Sequence, residues 1–241
     1  MTLGKVGIIV AARTGSSRLP GKALLPLRGV PMITFLLRRL QPARRATLLF
    51  ATTELPADNL LASVVAQESV PVFRGANEDV VARYVAAAAH FALDTVVRVT
   101  ADCPFVNAEL VDYCLECVGA WDSFDLATTK TRFPAGLDAE IYRADDMAKL
   151  DRVDHLTAIE REHLTLHYYN HPSACDIRYI DPIAPWAPLG SHLMVDTSAD
   201  YARASDIAAA LPERDMSLDA VLRVAHQYAS DKDNSTFREE A

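Results

Sequence analysis

Short apolar runs alternate with longer stretches of helical periodicity through the first hundred residues. VGIIVAA from Val6, ATLLFATT from Ala46, VPVFRG from Val70 and DTVVRVT from Asp94 are brief, rich in β-branched residues and bounded by turn formers. They read as buried strands. Between them PMITFLLRRL, ADNLLASVVAQE and EDVVARYVAAAAHFAL carry the spacing of amphipathic helices, the first behind a proline suited to an opening turn. Strands alternating with helices of this length predict parallel pairing through right-handed crossovers: an α/β fold with a Rossmann-like, layered, mostly parallel sheet. Beyond residue 120 the alternation becomes irregular. FDLATT, DAEIYR and CDIRYID read as strands, AIEREHLTLHYYN and SLDAVLRVAHQYA as helices, so an α+β insertion is expected near residues 130–185. No repeat and no Gly/Ser-rich linker divides the chain, which predicts one domain over residues 1–229 and a polar tail over 230–241.

In such sheets ligands bind beyond the carboxyl ends of the strands. ARTGSSRLPGKAL (residues 12–24) and TADCP (residues 100–104) both follow a buried strand and should face one crevice. The charge distribution points to the same place. The net charge of −8 opposes a broad nucleic-acid surface, yet the first 53 residues hold nine of the 24 basic side chains and none of the 32 acidic ones. A basic segment on an acidic body predicts a localised anion site. No apolar stretch approaches the roughly 18 residues of a membrane span, and no secretory leader is evident, so a cytoplasmic location is expected. Four cysteines are too few for a disulfide framework; Cys114 and Cys117 form a lone C-x-x-C on a helix with no second pair to complete a zinc site.

The loop itself is neither of the two familiar phosphate cradles. Five residues, not four, separate Gly15 from Gly21, and Ala23 follows Lys22 where a Walker loop needs a hydroxyl for magnesium. The glycine pair of a dinucleotide turn is also missing. What remains is a small-residue stretch able to bring backbone N–H groups to a phosphate, with Arg13, Arg18 and Lys22 projecting from it. An ordinary exposed turn with surface charges is the alternative at this point.

ARTGSSRLPGKAL with the following GVP, FATTELPADN, VFRGANEDVVARYVAAA, VVRVTADCPFVNAELVD, FPAGLDAEIY, REHLTLHYYNHP and LMVDTSADYARA occur in that order from residue 6 to about 205. Together they resemble the cytidylyltransferases that activate acidic sugars, the 3-deoxy-manno-octulosonate and sialic acid CMP-synthetases, and most closely the branch named after spore-coat polysaccharide biosynthesis. The resemblance implies a nucleotide-diphospho-sugar transferase type of fold and transfer of CMP from CTP to a sugar acid or related acceptor, with Mg²⁺ and release of pyrophosphate. It also implies a homodimer formed through residues 130–185. Carried over position by position, Arg13, Lys22 and Asp102 are the catalytic candidates. Ala11, Ala12, Arg13, Gly15, Ser16, Arg18, Lys22, Arg74 and Asn77, with Asp79 beside them, line the nucleotide. Asp102 and Asp196 hold the metal, and Asp138, Glu140 and His163 face the acceptor.

Each assignment has a plainer rival. Asp196 and Asn77 are also good helix N-caps, and Asp138 and Glu140 would suit a polar strand edge. His163, His167 and His171 stand four apart and would share one side of a continuous helix, a spacing that can bind zinc; the resemblance favours His163 near the acceptor and His167 at the surface. Relatives commonly have glycine where this chain has Ala101, so a positive φ there would mean strain. Three other functions compete: a sugar-1-phosphate guanylyltransferase using GTP, a glycosyltransferase, whose usual D-x-D is absent from TADCP, and a non-catalytic nucleotide-binding relative. The joint presence of Arg13, Arg18, Lys22, Asp102 and Asp196 opposes the last.

Overall fold

The four apolar runs of the N-terminal half do form adjacent parallel strands. The computed structural model describes residues 2–152, 156–187, 192–213 and 215–239. The chain runs from β1 (Val6–Ala11) through a small ribbon, β2 (Pro26–Leu27) and β3 (Val30–Pro31), into α1 (Met32–Leu40). There follow β4 (Thr47–Thr53), α2 (Asn59–Gln67), β5 (Val72–Gly75), α3 (Val80–His90), β6 (Thr95–Thr100) and α4 (Ala108–Gly119). The second half holds β7 (Leu126–Thr128), β8 (Glu140–Arg143), α5 (Ala144–Asp151), α6 (Ala158–Glu162), α7 (Leu166–Asn170), β9 (Ile177–Tyr179), α8 (Ser198–Ala210) and α9 (Leu218–Glu239).

One seven-stranded sheet runs in the order β5-β4-β1-β6-β8-β7-β9. β1 lies at its centre, parallel to both β4 and β6. Ile8 and Val10 pack on one face with side chains of α1, α2, α4, α8 and α9, while Ile9 packs on the other with α3 and α5. Burial on both faces is why β1 reads as an unbroken apolar run. Polarity changes at β8, which pairs antiparallel with β6 and with β7. The irregular stretch is thus part of the same sheet.

Two boundaries differ from expectation. AIEREHLTLHYYN is not one helix but α6 and α7, broken at His163–Thr165. The break lets Leu164 drop into the core, fully buried, and lets the Thr165 hydroxyl donate to Glu140 at 2.8 Å. The polar tail expected from residue 230 instead continues α9 to Glu239, since SDKDNSTFRE contains neither glycine nor proline to stop it. Among the described residues no helix is long and apolar enough to cross a membrane.

Candidate active site

The loop after β1 is folded onto a buried carboxylate. Asp58 accepts the Thr14 backbone N–H and the Thr14 hydroxyl, both at 2.7 Å, and also the Thr53 hydroxyl. Burial pushes the Asp58 carboxyl up, but the hydrogen bonds from Thr53 and Thr14 outweigh it and hold it below the ordinary value. The Thr14 carbonyl in turn accepts from Ser16 N at 2.9 Å and Gly21 N at 3.0 Å, closing the loop on itself. Gly21 sits at φ 67°, a left-handed turn that glycine adopts without Cβ strain, and it launches a single 3₁₀ turn, Lys22–Leu24. Lys22 is thereby aimed inward.

Its ammonium is the centre of the site. Lys22 Nζ lies 3.0 Å from Asp102 Oδ2, 2.9 Å from Asp196 Oδ1 and 2.8 Å from the Val195 carbonyl, with its side chain only 15% exposed. Arg18 reaches the other oxygen of Asp196 at 3.2 Å. Burial works to lower the Lys22 pKa, yet the two carboxylates hold it above the usual lysine value. Burial likewise raises Asp102, and Lys22 with the Thr100 hydroxyl brings it below the ordinary aspartate.

Neither aspartate is a helix cap. Asn107 caps α4 by accepting from Leu110 N, and Thr197 with Asp200 forms a capping box on α8. Asp102 and Asp196 are joined through the backbone, Val195 N donating to the Asp102 carbonyl at 2.8 Å. Beyond them Leu193 N donates to the Ala135 carbonyl at 2.7 Å, bringing the loop before β8 alongside. Gly136 makes that approach possible: it has φ +96°, and a Cβ there would stand 2.3 Å from Met194 N. Ala101 is not among the non-glycine residues of positive φ, which are Arg28, Ser69, Ala92 and Thr131 among the described residues. The strain expected at Ala101 is therefore absent.

A cleft of about 450 Å³ opens at the carboxyl ends of β1 and β6. Ala11, Ala12, Arg13, Gly15, Ser16, Arg18, Lys22, Asp102, His163 and Asp196 all line it. Arg13 crosses the cleft to Glu162 at 2.8 Å, and His163 follows as the exposed C-cap of α6. Two expected nucleotide residues lie outside the lining. Arg74 is a brace, spending its guanidinium on the Thr53 and Leu55 carbonyls and Asn59 at 2.7–2.8 Å. Asn77 contributes only its carbonyl, 3.4 Å from both Arg13 and Arg83, while α3 is capped by Asp79, not Asn77.

The acceptor candidates separate in the same way. Asp138 lines a smaller hollow of about 160 Å³ that shares Arg98, Thr100 and Asp102 with the main cleft. Burial raises its carboxyl above the ordinary value. Glu140 borders that hollow but is 2% exposed and fully engaged. Lys130, Thr165 and Tyr169 each donate to its Oε1 at 2.8 Å, and Arg98 pairs with Oε2. It opposes burial with Arg98 and Lys130 beside it, which hold the carboxyl down at about 2. Glu140 is an organiser of the site, its carboxylate held by four donors and turned away from solvent. A larger hollow of about 760 Å³, between α1 and the start of α4, contains none of these groups.

The sequence profile of the cytidylyltransferases matches residues 7–223. The chain belongs to the cytidylyltransferase family. The spore coat polysaccharide biosynthesis protein SpsF of Bacillus subtilis is 29% identical over 201 residues, 80% of this chain and 82% of that protein. A cytidylyltransferase from Leptospira borgpetersenii superposes with a TM-score of 0.86 at 27% identity, covering 94% of this chain and 96% of the other. A CMP:2-keto-3-deoxy-manno-octonic acid synthetase solved with CTP shares the fold at a TM-score of 0.66 and 20% identity, over 85% of this chain and 98% of its own. The chain is thus a nucleotidyltransferase by family.

In this cytidylyltransferase three residues that shape the cleft escape a reading by motif: Asp58, Arg83 and Arg98. Arg83 is buried on α3 and lines the cleft, donating to the Ala76 carbonyl at 2.8 Å. Burial lowers its pKa. Arg98 did carry a signal, a lone cation inside the apolar run VVRVT, since arginine is almost never buried without a partner. His167 is not at the surface; its side chain is 16% exposed and turned toward Glu160. Cys114 is buried in α4 and Cys117 partly so, both as free thiols.

Proposed function

We propose that this cytidylyltransferase transfers CMP from CTP to a sugar acid or a related sugar acceptor, with a divalent cation, Mg²⁺ in the first instance, and release of pyrophosphate. The observation that carries the reading is the convergence of Asp102 and Asp196 on one cation, Lys22 Nζ, at 3.0 and 2.9 Å. Two carboxylate oxygens aimed at one point are a donor set that fits a small hard cation sharing its remaining positions with phosphate oxygens and water. Bound there, the metal would neutralise the triphosphate and polarise the reacting phosphoryl group.

The chain's own residues supply the rest. Arg13, Arg18 and Lys22 surround the floor on which the triphosphate would lie and offset its charge, the two arginines with forked donors suited to phosphate. The acceptor hydroxyl oxygen attacks the α-phosphorus and gives up its proton to solvent, the bond from that phosphorus to the bridging oxygen breaks, and pyrophosphate leaves with the electron pair. No protein nucleophile is needed, so positioning and electrostatics carry the catalysis. Asp138 and Lys130 line the adjoining hollow where the acceptor's polar groups would sit. CTP is favoured by the family and by the CTP complex of the octonic acid synthetase, and a polysaccharide role by SpsF.

The test is a thermal-shift series with CTP, GTP, ATP and UTP, each with and without Mg²⁺. A ligand at 100 times its Kd adds about 2.7 kcal/mol to stability, and CTP with Mg²⁺ should give the largest rise. Asp102→Asn should keep a response to CTP, lose the Mg²⁺ increment and lose turnover. A response to GTP alone would move the acceptor search to sugar phosphates, and silence with all four would refute the reading.

A further inference from the structure

The break between α6 and α7 has a second result, away from the nucleotide cleft. It leaves His163 at the cleft wall and carries His167 and His171, one turn apart on and just beyond α7, round to Glu160 on α6. Glu160 Oε1 is 3.4 Å from His167 Nδ1 and 3.9 Å from His171 Nδ1. The two imidazoles stack with centroids 4.2 Å apart. One ligand atom from each of the three residues lies within 4.8 Å of the others.

Those spacings have a chemical meaning. Ligands held about 2.0–2.1 Å from a tetrahedral zinc stand roughly 3.3 Å from one another, so small side-chain rotations would close this set on a cation. His167 Nδ1 is buried and makes no hydrogen bond, although it faces a carboxylate. The carboxylate is already fixed from behind: its Oε2 accepts Thr157 N at 2.9 Å and the Thr157 hydroxyl at 2.8 Å, and Asn170 donates to Oε1 at 3.2 Å. His171 Nδ1 donates to the His167 carbonyl at 2.9 Å, a bond that orients the ring and leaves Nε2 as the nitrogen for a metal. Such outer contacts are what set ligand geometry in metal sites. The His171 side chain is 50% exposed, which leaves a path for an ion and a place for water.

We propose that Glu160, His167 and His171 form a binding site for a divalent cation of the zinc class, distinct from the Asp102–Asp196 site and clamping α6 to α7. Two imidazoles and one carboxylate select zinc, cobalt or nickel over magnesium, which prefers oxygen throughout. The fourth position is open to water. Because α6 also carries Glu162, the partner of Arg13 across the cleft, an ion here fixes the wall on which Arg13 rests.

The experiment uses the full-length chain without a histidine tag, stripped with chelator and then saturated with Mg²⁺ to occupy the carboxylate pair. Zn²⁺ is titrated calorimetrically and Co²⁺ by its visible absorption. One equivalent of Zn²⁺ should bind, Co²⁺ should give the bands of a four-coordinate site, and His167→Gln and His171→Ala should each weaken binding by at least about tenfold. His171→Ala is the safer variant, because that side chain is half exposed; its circular dichroism and metal-free melting should match the parent. Asp102→Asn should leave Zn²⁺ binding unchanged, so the result is independent of the CTP assignment. No Zn²⁺ bound, or binding undiminished in His171→Ala, would overturn the site.

Discussion

Lys22 stands where a metal would stand, and replacing it should move two affinities in opposite directions. Its ammonium bridges Asp102 and Asp196 at 3.0 and 2.9 Å and is nearly buried. Those geometries place the two carboxylate oxygens no more than about 6 Å apart, where like charges repel by roughly 3 kcal/mol at an effective dielectric of 20. Lys22 cancels that repulsion in the free protein, and each of its charge-assisted bonds is worth about 1.5–3 kcal/mol. A cation entering without nucleotide has to displace it. Lys22→Met should therefore raise the affinity for Mn²⁺ alone by about 2–3 kcal/mol, roughly 30- to 150-fold. On the proposed role of Lys22 as a phosphate partner, the same change should weaken metal-free CTP binding by a similar factor. Free Mn²⁺ is read by electron paramagnetic resonance, and CTP by calorimetry in chelator. Mn²⁺ affinity unchanged or reduced in a Lys22→Met variant whose circular dichroism and melting match the parent would refute the displacement argument.

Two further perturbations probe the frame around the site. Glu140→Gln leaves Arg98 and Lys130 without their anion and should cost about 3–5 kcal/mol, read as a lower midpoint in denaturant. The Glu140 carboxyl is held down at about 2 from an ordinary 4.5, so its contribution is complete above pH 4.5 and disappears as the pH falls toward 2. The difference in stability between parent and Glu140→Gln should narrow over that window; a difference independent of pH would show that the carboxylate charge is not the cause. Gly136→Ala combines a φ of +96° with a Cβ 2.3 Å from Met194 N, and should cost at least about 1–3 kcal/mol and weaken CTP–metal binding through Asp196. An alanine variant as stable as the parent would rule out the close approach.

Much of this architecture is legible in the sequence because buried parallel strands leave a plain mark. Ile8, Ile9 and Val10 are all fully buried, so no polar residue interrupts them. Lys22, Asp102 and Asp196 are legible through their motifs, each anchored to the end of such a strand or the start of a helix. The break in AIEREHLTLHYYN is not, for what it accommodates, a hydrogen bond from Thr165 to Glu140, spans 25 positions. Asp58 is hidden for the same reason: its partner Thr14 is 44 residues away. Asn77 misleads because Asn77 and Asp79 are both good caps two residues apart, and only the helix start decides between them. Arg74 misleads because an arginine near a phosphate loop can brace carbonyls as readily as it binds anions.

The reversal of strand direction at β8 divides the sheet into two parts. The parallel strands β5, β4, β1 and β6 carry the loop of Arg13 and Lys22, while the antiparallel and later strands carry the segments that border the smaller hollow lined by Asp138. Glu140 is the rivet between them, bonded to Arg98 on the first part and to Lys130, Thr165 and Tyr169 on the second. Glu162 and His163 of the second part also line the main cleft, and Gly136 packs against Met194 beside Asp196, so a change in the later loops reaches the first part through these contacts as well as through Glu140. For the engineer, a change to the loops around the smaller hollow has to leave Gly136, Glu140, Glu162 and His163 in place.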